Sequence, residues 1–142
     1  MLKVRFKRLH PDAKMPSYAH PGDAGLDMYT IEDRTLAPGE QAMLKTGIVM
    51  EIPEGYVGLV WDKSGLSTKH GLTTIAGVID AGYRGELAIA IANVGNEPYT
   101  FTKGQKVAQV LIQKVEQATF EEANELSESS RGAGGFGSTG TH

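Results

Sequence analysis

The chain has 142 residues, 14 Lys and Arg against 17 Asp and Glu, a formal net charge of −3 and no cysteine. One domain of this size buries about two thirds of its unfolded surface. The missing cysteines exclude disulfide frameworks, Cys-ligated zinc and thiolate catalysis together, and suit a reducing, cytoplasmic setting. The acidic balance argues against a nucleic-acid partner, since affinity for phosphate backbones comes from concentrated cationic charge. The longest wholly apolar run, Leu87 to Ala92, falls far short of the ~20 residues that cross a bilayer, so no membrane partner is expected either.

From the N-terminus, Leu2, Val4 and Phe6 alternate with Lys3, Arg5 and Lys7, the pattern of a strand with one wet face. Gln41 to Ile52 reads as a further extended segment, and Pro53-Glu54-Gly55 before Tyr56 to Trp61 predicts a hairpin turn. Helical pattern is confined to Ser64 to His70 and Phe120 to Leu126, a turn or two each. Glu86 to Asn93, Pro98 to Phe101 and Lys106 to Val115 read as strands. Turn signals recur every 8–12 residues or so, as in an all-β barrel or sandwich. Within Leu87 to Ala92 one face carries large side chains and the other alanines, and neither is polar. Such a strand is buried on both sides, covered either by a second subunit or by the chain's own loops. Glu121, Glu122, Glu125 and Glu128 form a solvated connector. Residues 129–142 hold five glycines and, apart from Phe136, almost no apolar side chain. The division expected is therefore a domain over 1–128 and a flexible arm over 129–142.

Several familiar chemistries are absent. Neither G-x-x-x-x-G-K-[ST] nor H-E-x-x-H occurs, and His10, His20, His70 and His142 share no metal-ligand spacing. Gly132, Gly134 and Gly137 satisfy G-x-G-x-x-G, but the chain ends five residues later, with no room for the helix that the dinucleotide fingerprint requires. What remains is a set of Gly-rich segments with single polar residues among apolar ones: Asp27, Ser64, Asp80 and, with aromatic faces, Tyr83 and Phe136. Singly, each has two readings. Ser64 is an N-cap serine or part of an anion cradle. Asp80 is an Asx-turn residue or a partly desolvated base. The aromatics pack, or stack on a ring.

Taken in order, these segments resemble the five motifs of the trimeric dUTPases. Ala24-Gly-Leu-Asp-Met-Tyr matches the first motif, and Lys63-Ser-Gly-Leu with Lys69-His-Gly the second. Gly77-Val-Ile-Asp-Ala-Gly-Tyr-Arg-Gly-Glu86 matches the third, Lys103-Gly-Gln-Lys-Val-Ala-Gln109 the fourth and Arg131-Gly-Ala-Gly-Gly-Phe-Gly-Ser-Thr-Gly140 the fifth. The resemblance implies a distorted, jelly-roll-like β-barrel and a homotrimer whose three sites are each built from several chains. It implies hydrolysis of dUTP to dUMP and pyrophosphate, which keeps uracil out of DNA and supplies dUMP for thymidylate synthesis. By resemblance, Asp80 activates the water that attacks the α-phosphorus, and Tyr83 packs on the deoxyribose. The hairpin from Thr74 to Tyr83, with Gly77, Val78 and Ile79, reads the uracil edge through its backbone. Lys63, Ser64, Gly65 and Gln109 hold phosphates. Mg²⁺ rides on the triphosphate, with Asp27 in its outer shell through water. Arg131, Phe136, Gly137 and Ser138 close over the nucleotide, while Arg84 and Glu86 are structural.

Two positions depart from the family pattern. Lys63 stands where Arg is usual, keeping the charge without the planar bidentate fork, and Thr74 stands where many bacterial relatives carry Asn. Two rival readings share the scaffold. A dCTP deaminase needs a Glu on the strand after the third motif, where the alignment gives Ala90. A non-catalytic nucleotide-binding regulator has no use for a base at Asp80.

Overall fold

The computed structural model describes residues 1–137 and 140. In chain order the elements are β1 (Arg5–Arg8), β2 (Leu26–Tyr29), β3 (Arg34–Leu36), β4 (Gln41–Lys45), β5 (Ile48–Glu51), β6 (Tyr56–Trp61), α1 (Ser64–His70), β7 (Leu72–Thr74), β8 (Val78–Ile79), β9 (Ala88–Asn93), β10 (Tyr99–Phe101) and β11 (Lys106–Lys114). The chain is all-β, with α1 the one helix among the described residues.

The sheets are small. A four-stranded sheet runs β2-β11-β6-β8 and a three-stranded one β4-β9-β7, while β1 pairs with β5 and β10 with β3. All of these pairings are antiparallel. Alternation explains the layering: in β9 Ile89 and Ile91 face the core and Ala88, Ala90 and Ala92 the other side, half-buried. Phe101, Met28, Leu36, Leu44, Ile48, Met50, Leu72, Val107 and Val110 are among the side chains that share that core. Each such side chain contributes about 1.5–3 kcal/mol on burial. Asn93 is buried but satisfied: its Nδ2 donates to the carbonyls of Leu36 and Glu97, and its Oδ1 accepts from the Gly95 N–H.

Three sequence expectations change. The Pro53–Gly55 turn forms, with the Tyr56 N–H on the Pro53 carbonyl at 3.1 Å, yet β5 pairs with β1 and β6 with β11 and β8. The turn therefore carries the chain between sheets and closes no hairpin. The extended segment from Gln41 to Ile52 divides into β4 and β5 around Thr46-Gly47, whose Thr46 hydroxyl donates to the Leu87 carbonyl at 2.6 Å. Phe120 to Leu126 is not helical, and Phe120 and Leu126 are exposed; with no apolar face packed against the body, so short a segment gains nothing to offset helix nucleation.

Candidate active site

Strand register gathers the first cluster. Gln109 on β11 lies opposite Asp27 on β2 and opposite Trp61 on β6, so the start of β2 and the end of β6 meet on either side of β11. Asp27 is only 2% exposed. Its Oδ1 accepts from Lys63 Nζ at 2.7 Å and its Oδ2 from Lys106 Nζ at 3.2 Å. Burial pushes the Asp27 carboxyl up, but the two ammonium groups outweigh it and hold the group below the usual carboxylate range. In return, Asp27 raises Lys106. One carboxylate between two ammonium groups leaves this cluster with a surplus positive charge.

Gly25, buried just before β2, lets Gln109 close over it: a Cβ there would lie 1.9 Å from Gln109 Oε1. Gln109 Nε2 in turn donates to the Asp62 carbonyl at 2.8 Å. Lys63 occupies the N-cap position of α1 in extended backbone, without a side-chain cap bond, and Ser64 is the first helical residue. The N-cap reading of Ser64 is thereby corrected by one position: Lys63 is the residue still extended where the helix begins. Ser64 and Gly65 are exposed.

A second cluster lies on the loop between β7 and β9. Gly77, Val78, Ile79, Asp80 and Tyr83 line a cavity of about 310 Å³, with Ala88 and Ala90 of β9 on its far wall. Asp80 is exposed, and among the described residues its carboxylate has neither a hydrogen bond nor an ion pair. The Tyr83 N–H closes a turn onto the Asp80 carbonyl at 3.1 Å. The Tyr83 hydroxyl donates to the Glu86 carbonyl at 2.9 Å, its ring lying against Gly85, where any Cβ would clash. The loop is strained at its tip: Ala76 has φ +59° and Gly77 φ +122°, with the Gly77 carbonyl accepting from the Val60 N–H.

Thr74 faces away from this cavity. Its N–H and hydroxyl both donate to Asp62 Oδ1 at 2.7 Å, while the Thr73 hydroxyl donates to Asp62 Oδ2 at 2.9 Å. Burial pushes Asp62 up, and the donors from Thr74, Thr73 and Ser67 more than reverse it, leaving the carboxyl below its ordinary value. Arg84 bridges Glu51 and the Ala81 carbonyl, and the Glu86 carboxylate takes the Gly47 N–H. Arg131, Phe136 and Gly137 lie in an exposed or half-exposed segment, where Arg131 Nε donates to the Gly134 carbonyl at 2.5 Å. Ser138 lies outside the described residues.

One chain thus brings together Asp27, Lys63 and Gln109 in one place, and Gly77 to Asp80 with Tyr83 in another. The cavity at Asp80 includes none of Lys63, Ser64, Gly65 or Gln109. Two residues escape sequence reasoning. Lys106 sits three before Gln109, and a bulge between Lys106 and Ala108 aims it at Asp27; no local pattern signals that. Asp62 stands directly before Lys63, where the apolar run of β6 ends in a carboxylate, the same signal that singled out Asp80. Among the described residues no group of three or more His, Cys, Asp or Glu converges on a point that could hold a metal, and no helix is long and apolar enough to cross a membrane.

The short-stranded sheets have close counterparts of known structure. A Staphylococcus bacteriophage 80alpha dUTPase with dUPNHPP superposes with a TM-score of 0.93 at 34% identity, over 98% of this chain and 99% of that one. A dUTPase from phage phi11 of S. aureus, described for the coordination of a structural Mg(II) ion, gives 0.82 at 32% identity over 87% of this chain and 97% of that one. The deoxyuridine 5'-triphosphate nucleotidohydrolases of Thermobifida fusca and Clostridium tetani are 51% and 45% identical, with 99% and 96% of this chain and 80% and 96% of those proteins aligned. The dUTPase family profile spans residues 11–140. The fold is that of the dUTPases, and the chain belongs to the dUTPase family.

Proposed function

We propose that this protein hydrolyses dUTP to dUMP and pyrophosphate, with water attacking the α-phosphorus. The observation that carries the reading is the Asp80 carboxylate, unpartnered among the described residues at the edge of a largely apolar cavity beside Tyr83. Around the two clusters, the Asp27 carboxylate is held by lysines, that of Asp62 by threonines and a backbone N–H, and that of Glu86 by a backbone N–H; that of Asp80, without such a partner among the described residues, is open to a water. As water attacks, Asp80 accepts its proton, and the bond from the α-phosphorus to the bridging oxygen breaks, so that pyrophosphate leaves. Tyr83 presents its ring to the deoxyribose, and the backbone of Gly77, Val78 and Ile79 reads the uracil. Thr74 contributes no side chain to the base, since Asp62 engages its hydroxyl.

Lys63, Ser64, Gly65 and Gln109 hold the phosphates, drawn by the surplus positive charge around Asp27. Mg²⁺ fits this donor set only as an ion carried by the triphosphate. Asp27 is a single carboxylate already taken by ammonium groups, which suits contact through water, and Mg²⁺ habitually keeps its waters and binds substrate phosphates. When bound, it would screen the phosphate charge against the incoming water. Assembly as a homotrimer, the strands closing into a distorted barrel, is supported by the separation of the two clusters within one chain. It is supported too by the apolar surface around the β9 alanines, where Met43 and Val78 are 58% and 69% exposed. Residues 1–128 form the body and 129–142 an arm whose Arg131, Phe136, Gly137 and Ser138 close over the bound nucleotide. Ala90 lines the cavity where a deaminase needs a proton carrier, and alanine moves no proton. The test is to offer dUTP, dCTP, dTTP and UTP with Mg²⁺ and assay pyrophosphate and ammonia separately. Pyrophosphate from dUTP in large excess over that from the other three is expected; ammonia from dCTP would overturn the reading.

A further inference from the structure

The proposed function gives roles to the neighbours of Asp62 on both sides and none to Asp62 itself. Its main-chain carbonyl holds Gln109, and the next residues are Lys63, Ser64 and Gly65. Its carboxylate grips the other half of the site at the root: Oδ1 takes the N–H and hydroxyl of Thr74, and Oδ2 the hydroxyl of Thr73. Hydrogen bonds to an ionised acceptor are roughly twice as strong as neutral ones.

Directly beyond Thr74, the Ile75 N–H donates to the Ala90 carbonyl, and the chain enters the left-handed conformations at Ala76 and Gly77. A loop with two residues at positive φ keeps its shape only where its surroundings over-determine it. The anchors available are Ile75 to Ala90, Gly77 to Val60, and the three bonds to Asp62. The Gly77–Val60 bond and the pairing of β8 with β6 tie the loop beyond its tip to the body of β6; the carboxylate ties its root, at Thr73 and Thr74, to the end of that strand, next to Lys63.

We propose that Asp62 is a positioning residue for base selection: by holding Thr73 and Thr74 it sets where the loop from Ile75 to Tyr83 presents its backbone, without touching the nucleotide. This rests on the reading that the protein hydrolyses dUTP. Removing the carboxylate leaves the main-chain carbonyl to hold Gln109 and leaves Lys63 on Asp27. The phosphate side therefore stays in place while the base side drifts, a split that a merely structural staple does not produce.

The experiment compares Asp62→Ala, Asp62→Asn and Thr73→Val with the parent in steady-state hydrolysis of dUTP, dCTP and dTTP with Mg²⁺, with inorganic tripolyphosphate as a competitive inhibitor. For Asp62→Ala, the KM for dUTP rises at least ten-fold and the preference for dUTP in kcat/KM falls at least ten-fold, while inhibition by tripolyphosphate changes less than two-fold. Asp62→Asn keeps one carbonyl oxygen for Thr74 and offers an N–H to the Thr73 oxygen, and restores selectivity to within three-fold of the parent. If Asp62→Ala does not fold, Thr73→Val, which deletes one donor and keeps the carboxylate on Thr74, lowers the preference about three-fold. Unchanged selectivity, or a loss of tripolyphosphate affinity parallel to the rise in KM, overturns the role. The parent's own release of pyrophosphate from dUTP tests the functional reading separately.

Discussion

Gly25→Ala puts the packing of the first cluster to a quantitative test. A Cβ at this position lies 1.9 Å from Gln109 Oε1, 2.7 Å from its Cδ and 2.9 Å from its Cβ. The amide can swing away, but the Gln109 Cβ is fixed by β11 and cannot, so the strand end must shift as well. Overpacking of a closed site costs about 1–3 kcal/mol. The hydrogen bond from Gln109 Nε2 to the Asp62 carbonyl is lost with the swing, at about 1 kcal/mol. The sum, about 2–4 kcal/mol, lowers the melting temperature by roughly 5–15 °C in a chain of this length. Differential scanning calorimetry at fixed protein concentration reads it, and kcat/KM for dUTP falls at least ten-fold. Because the clash has a named partner, adding Gln109→Ala to Gly25→Ala removes the 1.9 and 2.7 Å contacts but keeps the 2.9 Å one and the lost hydrogen bond, so it recovers part of the melting temperature and none of the activity. A Gly25→Ala protein that melts within 2 °C of the parent refutes the close approach, as does a double variant no more stable than Gly25→Ala.

Three further outcomes are expected. Lys63→Arg retains activity within ten-fold, because a guanidinium reaches both the Asp27 carboxylate and a phosphate and offers directed pairs of hydrogen bonds; a larger loss in well-folded enzyme shows that Lys63 has a different neighbour in the working site. Deleting from Arg131 onward leaves the melting temperature and the assembly size by light scattering nearly unchanged, while kcat/KM falls at least a hundred-fold; full activity after deletion makes that segment a spacer. Asp27 and Asp62 are both held below the ordinary carboxylate value of about 4, so their contribution to stability is complete above about pH 4 and is lost as pH falls through the lowered folded values. Thermal melts are therefore flat from neutral pH down to about 4 and fall below it, with a shallower acid limb in Asp62→Asn; an identical limb in that variant removes Asp62 from the account.

Legibility in the sequence followed range. Ser64–His70 is a helix with the boundaries its local pattern predicts; in β9 the isoleucine face expected to be buried is the core face, while the alanine face, also expected to be buried, is half-buried within one chain. Period-two pattern located β6 and β11 because each is long enough to alternate several times, whereas β7 and β8, with three and two residues, carry no period at all. Those short strands owe their existence to partners far along the chain, β9 and β6. The same limit governs the site. Asp27, Lys63 and Gln109 were nameable from their motifs, but that Asp27 is clamped by Lys106 as well depends on the bulge in β11. Thr74 could be marked as standing where relatives carry Asn, yet its engagement by Asp62 requires the end of β6 to lie beside the end of β7, a contact between residues twelve apart. The hairpin expected at Pro53–Gly55 failed for a related reason: a turn sequence fixes the bend and leaves the pairing of its flanks to the sheets.

In the proposed reaction, water deprotonated by Asp80 attacks the α-phosphorus of dUTP. Turnover in water enriched in heavy oxygen, with mass analysis of both products for the parent and for Asp80→Asn, tests it most directly. One heavy oxygen is expected in dUMP and none in pyrophosphate. In Asp80→Asn, kcat falls roughly a hundred- to ten-thousand-fold, the range of a lost general base, with dUTP binding retained. Heavy oxygen in pyrophosphate would place the attack on the β-phosphorus, and near-parental turnover by Asp80→Asn would place the base elsewhere; either result contradicts the account.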